Sequence, residues 1–127
     1  MNGDPVLILG GRSDIGLAIA HQFAKSGHPI QLAARNADTL IKEKTDIETH
    51  YQVKVTTHEF DVLELHKHEE FVASLPILPS IAICAVGLLG NQKNDEYDYQ
   101  SAVNTIRSNY EGPVNIFNIL ANHFEKR

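Results

Sequence analysis

Gly10, Gly11 and Gly16 stand between the apolar run at residues 6–9 and an amphipathic segment, in the stretch VLILGGRSDIGLAIA. Glycine lets backbone approach a ligand closely, and free amides at a helix start favour negative charge, so a strand, a glycine turn and a helix in that order can hold phosphate. We read the stretch as the pyrophosphate turn of a dinucleotide-binding βαβ unit, with Gly10, Gly11, Arg12, Ser13, Asp14, Ile15 and Gly16 forming it. Its spacing, G-x-x-x-D-I-G, is neither G-x-G-x-x-G nor the lysine-bearing phosphate loop, because no Gly-Lys-Ser/Thr follows. Taken alone, the same turn also serves as a tight strand-to-helix connection.

An NAD-binding chain usually places a carboxylate on the ribose hydroxyls about 20 residues beyond the turn. Here Ala33-Ala34-Arg35 occupies that place. A planar cation suits a 2′-phosphate, and Arg12 is placed to reach the same group, so the expected coenzyme is NADP(H) rather than NAD(H). Asp61, directly after a third strand, is positioned to meet the adenine, and Asp61-x-x-Glu64 also reads as a capping box for the next helix. The small residues of Ala85-Val86-Gly87 let backbone pack against a ribose. Pro113 lacks an N–H, so the carbonyl of Asn109 loses its helical partner and can hold a water; the plain alternative is a packing kink after Gly112.

Other chemistry is poorly supplied. His66 and His68 are two apart on a predicted helix and point to different faces. No His-Glu-x-x-His or Cys/His cluster is present, so no metal site is expected. Cys84, the single cysteine, reads as a buried strand residue, and its solitude fits a reducing compartment. The net charge of −5, with charges mixed along the chain, argues against nucleic acid or anionic membrane as a partner. The apolar stretch at 77–89 is too short to span a bilayer and contains Pro79, and the N-terminus MNGDP is not a signal peptide. The expected location is the cytoplasm.

The elements that would position these residues follow from periodicity. Ile15, Ala18, Ile19 and Phe23 recur at helical spacing, with Gly27 as the C-terminal cap. Residues 30–34 read as the second strand. Asn36 caps a helix over 37–51, with Leu40, Ile47 and Tyr51 on one face. Residues 53–60 alternate as a third strand, 64–75 form a helix that Pro76 and Pro79 break, and 81–86 form a fourth strand, unbroken as if covered on both faces. A loop at 87–96 leads to a helical segment over 97–127, where Ala102, Ile106, Tyr110, Val114, Phe117, Ala121 and Phe124 fall roughly in register. Alternating strands and helices predict an α/β doubly wound Rossmann-type parallel sheet of about four strands, order 3-2-1-4, with ligand at the carboxyl ends near the first and fourth strands. The 127 residues, 43% hydrophobic, suit a single domain. A receiver-like domain of similar length would need an acidic pair where Leu9-Gly10 stands.

Read end to end, the chain resembles the N-terminal, cofactor-binding half of a short-chain dehydrogenase/reductase domain. The matching residues are the Gly10 to Gly16 turn, Arg35-Asn36 closing the second strand, Asp61-Val62 closing the third, and Cys84-Ala85-Val86-Gly87 where the family usually shows Asn-Asn-Ala-Gly. Asn109, followed by Gly112, stands at the family's catalytic Asn. The resemblance implies that the turn, Arg35, Asn36, Asp61, Val62, Ala85, Val86 and Gly87 hold NADP(H), and that Asn109 supports a proton-relay water through its backbone carbonyl. Leu9 replaces the family's Thr and Asp14 its middle Gly; that carboxylate would compete for the pyrophosphate amides unless it caps the helix with Arg12 compensating. The chain reaches Arg127 before the family's Ser and Tyr-x-x-x-Lys, and Tyr51, Tyr97, Tyr99 and Tyr110 have no lysine four residues on. The expectation is the NADP(H)-binding part of an oxidoreductase for a small carbonyl or alcohol, not catalytically competent alone; the rival is a non-catalytic nucleotide-binding or regulatory module. A shortened domain leaves residues 81–86 as a sheet edge, which favours a homo-oligomer.

Overall fold

Four short strands lie parallel in the order β3-β2-β1-β4, the order expected from the sequence. They are β1 (Val6–Leu9), β2 (Ile30–Ala34), β3 (Val55–Glu59) and β4 (Ile81–Cys84). The computed structural model describes residues 3–85, 100, 103 and 111–126. Val86, Gly87 and Asn109, with the expected loop at 87–96, lie outside the described residues. Of the helical segment expected over 97–110, only Gln100 and Val103 are described, both helical.

The chain divides into two compact units, Met1–Asp61 with Leu75–Ala85, and Val62–Ser74 with Val86–Arg127. In the first, β1 pairs with β2 on one side and β4 on the other, setting Val6 beside Ile30 and Ile81. Every residue of β1 and β2 is buried. Val6, Ile8, Ile30, Leu32 and Val55 pack in one cluster with Ala20 and Ala24 of α1 (Asp14–Lys25) and Ile47 of α2 (Ile41–Tyr51). This is the alternation by which a strand sends every second side chain to one face. α1 ends where Gly27 takes φ 95°, a conformation open to glycine.

The structure departs from the sequence reading in several places. The third strand, expected over 53–60, spans Val55–Glu59, and the fourth, expected over 81–86, spans Ile81–Cys84. Asn36 makes no side-chain cap: it sits in the left-handed region (φ 54°), the helical stretch opens as a 3₁₀ turn, Ala37–Leu40, and its first amides are taken by a carboxylate from β3. The helix expected from residue 64 is a 3₁₀ turn, Leu65–Lys67, followed by α3 (His68–Ser74), with Glu64 at the N-cap position and no side-chain cap bond. Glu64 instead meets Lys67 at 2.9 Å, and that bond holds its carboxyl below the usual range. β4, at the sheet edge, is half-buried throughout, so its unbroken apolar run does not reflect full cover on both faces; Cys84, expected buried, is likewise half-buried.

In the second unit, the buried His68 is fixed by α4 (Gly112–Lys126). The Asn115 side-chain amide donates to Leu65 O (3.1 Å) and to His68 Nδ1 (2.8 Å), which makes Nδ1 the acceptor and places the neutral ring's proton on Nε2. His123 of α4 lies 3.1 Å from Glu69 of α3.

Two stability tests follow. Gln52 closes α2 at φ 52°; Gln52→Gly removes that strain and should raise stability by about 0.5–1 kcal/mol in urea unfolding. His58 on β3 stands 2.7 Å from Thr56, and burial lowers its pKa. The unfolded chain then binds the proton first, so this group's stabilisation is complete above its ordinary pKa of about 6.5 and is lost as pH falls through and below it. The urea midpoint should decline less between pH 7 and 5 in His58→Gln than in the unsubstituted chain.

Candidate functional site

The first unit brings the glycine turn and the end of β2 together. Gly10, at φ 100°, reverses the chain directly after β1, and its amide and that of Gly11 both donate to Ala33 O. α1 starts so close that a Cβ on Gly16 would lie 2.5 Å from Gly10 O, and one on Gly11 would lie 2.9 Å from Leu32 Cβ. A side chain at either place would push the helix start away from the strand ends.

Ser13 is the cap that the sequence reading assigned to Asp14 as its way of avoiding the phosphate site. Its Oγ accepts from Gly16 N at 2.9 Å and its carbonyl accepts from Leu17 N. The first-turn amides of Asp14 and Ile15 have no acceptor among the described residues. They form the exposed positive end of a twelve-residue helix, flanked by an Ile15 side chain that is 70% exposed. Asp14 is exposed on the same turn, where its charge suits the helix dipole but opposes an anion. Arg12 does not compensate it.

The guanidinium of Arg12 points instead to the segment after β2. Its Nη1 donates to Arg35 O at 2.9 Å, and its Nη2 donates to Asn36 O at 3.1 Å and to Thr39 Oγ1. From the other side, the Glu59 carboxylate accepts from Asn36 N (2.9 Å) and Ala37 N (3.0 Å). Thr39 and Glu59 are absent from the sequence reading. The signal for Glu59 was available in the parallel pairing: β2 and β3 in register set Glu59 beside Ala34, one residue before Arg35. The Arg35 side chain is exposed and has no partner among the described residues. Ala85 N donates to Leu9 O, which extends the β4 end to the turn, and the Ala85 Cβ would stand 3.3 Å from a Cβ on Gly16. Asp61 follows β3 in this unit and is half-buried, while Val62 is buried and belongs to the second unit.

The family model for short chain dehydrogenase matches residues 4–127. The chain belongs to this family. It is 38% identical over 122 residues to an uncharacterized oxidoreductase of Mycobacterium tuberculosis, covering 92% of this chain and 48% of that protein. A structure of an actinorhodin polyketide ketoreductase variant with NADPH superposes with a TM-score of 0.83 at 20% identity, over 94% of this chain and 48% of that one. The L-sorbose reductase of Gluconobacter frateurii, solved with NADPH and L-sorbose, gives 0.76 at 26% identity, over 94% and 46%. The chain thus spans about half the length of the curated relatives it matches. Among the described residues no helix is long and apolar enough to cross a membrane, and no group of three His, Cys, Asp or Glu could hold a metal ion.

For this family member the close approach at Gly16 is the most exacting local requirement. Gly16→Ala should cost about 1–3 kcal/mol in chemical unfolding, as overpacking against backbone does, because Gly10 O cannot rotate away. A cost under a few tenths would show that the turn relaxes freely.

Proposed function

We propose that this chain is the NADP(H)-binding part of a short-chain dehydrogenase-type oxidoreductase acting on a small carbonyl or alcohol. The observation that carries the reading is the exposed, positively polarised start of α1, where two amides have no acceptor among the described residues, beside a strand followed at once by Arg35, exposed and without a partner among the described residues. The residues fit a dinucleotide: backbone at Gly10–Gly16 takes the pyrophosphate, Arg35 the 2′-phosphate, and Asp61 the adenine. By family resemblance, Val62 and the Ala85-Val86-Gly87 segment complete the coenzyme site, and the Asn109 carbonyl supports a relay water. Neighbouring structures solved with NADPH support NADP(H), and relatives named oxidoreductases support the reaction class. When bound, the coenzyme supplies or accepts the hydride; the chain's part is to orient it and neutralise its phosphates. The same reading places the chain in the cytoplasm and has it self-associate, the latter motivated by the half-exposed edge strand β4.

A second reading is a nucleotide-binding or regulatory module without turnover on the same fold. Titrating NADPH and NADH by coenzyme fluorescence tests the binding that both readings share, and a parent chain that binds neither coenzyme would overturn both. Turnover of a carbonyl panel by this chain would exclude the module. In either case Arg35→Ala should weaken NADPH binding roughly tenfold or more, the loss of a charge-assisted contact, and leave NADH nearly unchanged. Equal loss for both coenzymes would remove Arg35 from the phosphate.

A further inference from the structure

Backbone at the end of β2 and directly after it is hydrogen-bonded at a run of successive polar atoms. Ala33 O accepts two amides from the glycine turn, and Ala34 O accepts Phe60 N at 3.1 Å. Arg35 O receives Arg12. Asn36 O receives Arg12, Thr39 N (2.9 Å) and Thr39 Oγ1 (2.7 Å). The amides of Asn36 and Ala37 are closed by the two oxygens of Glu59. Asn36 is held throughout in a left-handed conformation that a non-glycine residue adopts at a cost.

Two consequences follow for an incoming phosphate. The amides next to Arg35, which would otherwise attract an anion, already carry the chain's own carboxylate. Both terminal nitrogens of Arg12 face carbonyls and a hydroxyl of the chain. The Arg35 guanidinium remains the cation of this cluster without a partner among the described residues.

We propose that Arg12 and Glu59 are positioning residues for coenzyme discrimination: they lock the backbone of residues 35–39 from its carbonyl side and its amide side, so that Arg35 alone meets the 2′-phosphate. The proposal rests on the NADP(H) reading above. It departs from the sequence expectation that Arg12 itself touches that phosphate. It also fixes a sign. A carboxylate acting merely as a charge near the phosphate would oppose NADPH, and its removal would tighten binding; a carboxylate that holds the arginine's backbone helps NADPH, and its removal loosens binding.

The test measures NADPH and NADH dissociation constants by fluorescence in the 127-residue chain and in Arg12→Lys, Arg12→Gln, Glu59→Ala and Thr39→Val, together with amide hydrogen exchange at residues 36 and 37. Lysine keeps the charge but lacks the planar fork that spans several acceptors. Both Arg12 variants and Glu59→Ala should therefore lose roughly tenfold in NADPH affinity, the worth of a charged hydrogen bond, with NADH within about twofold. Exchange at residues 36 and 37 should accelerate in each. Thr39→Val removes one hydroxyl and should give a smaller NADPH loss in the same direction; it decides the matter if the Arg12 or Glu59 variants lose their cooperative thermal transition. Arg12→Lys binding NADPH like the parent while Arg12→Gln fails, or Glu59→Ala binding it more tightly, would overturn the proposal and leave NADP(H) binding intact. A parent chain that binds neither coenzyme would remove the NADP(H) reading and with it the role in discrimination. Exchange unchanged in every variant would show that the lock itself does not exist.

Discussion

The fold of the first unit depends on one close contact: the carbonyl of Gly10 against the backbone of Gly16, near enough that a β-carbon would intrude. That approach lets α1 begin within a few residues of the end of β1. It also leaves the helix amides facing outward at the carboxyl edge of the sheet rather than buried beneath a longer loop. Gly10 contributes the reversal through its positive φ, and Gly16 contributes the absence of a side chain. A parallel sheet requires such a crossover between β1 and β2, and the shorter its first turn, the more directly the helix dipole is aimed at whatever lies above the strands.

Charge is distributed around this turn in a way that composition conceals. The chain is acidic overall, yet the groups at the end of β2 and in the turn after it pair two arginines, Arg12 and Arg35, with two carboxylates, Glu59 and Asp38, and Asp14 stands on the adjoining helix start. Each charge acts through geometry rather than through net sign. Glu59 satisfies two amides, Arg12 satisfies carbonyls, and Arg35 is left to solvent.

Strand order, the span of β2 and the start of the glycine turn were legible because they rest on local patterns: an apolar run, glycines, and a repeat of alternating elements. The Gly10 and Gly16 pattern also led to the family without any tertiary information. What the sequence hid was which polar group answers which backbone atom. Asn36 has the composition of a helix cap and is not one: it sits in the left-handed region, with its own amide and that of Ala37 on Glu59, a residue distant in sequence and adjacent only through strand pairing. Asp14 and Ser13 are both good caps, and periodicity alone does not choose between neighbours; the structure chooses Ser13. Spacing says only that His66 and His68 point to different faces; that His68 is the inward one, 1% exposed and bonded to Asn115, is a tertiary fact. β4 shows the limit of reading burial from an apolar run, since an edge strand of such residues stays half-exposed.

Gln31 is the polar exception in an otherwise apolar β2. It lies 4% exposed beside a small cavity of about 70 Å³ bounded by Pro5, Pro29, Lys54 and Ile77, with its Nε2 bonded to Ile77 O and its Oε1 unpartnered among the described residues. In place, that amide weakens the sheet slightly. Were β2 to slide by one residue, however, Gln31 would exchange faces with Ile30 and Leu32 and enter the aliphatic layer under the helices, stripped even of its bond to Ile77. A side chain that is merely tolerated in one alignment and prohibitive in the next acts as a ratchet tooth, giving this short strand a single alignment that its hydrophobic neighbours, nearly interchangeable in size, could not enforce.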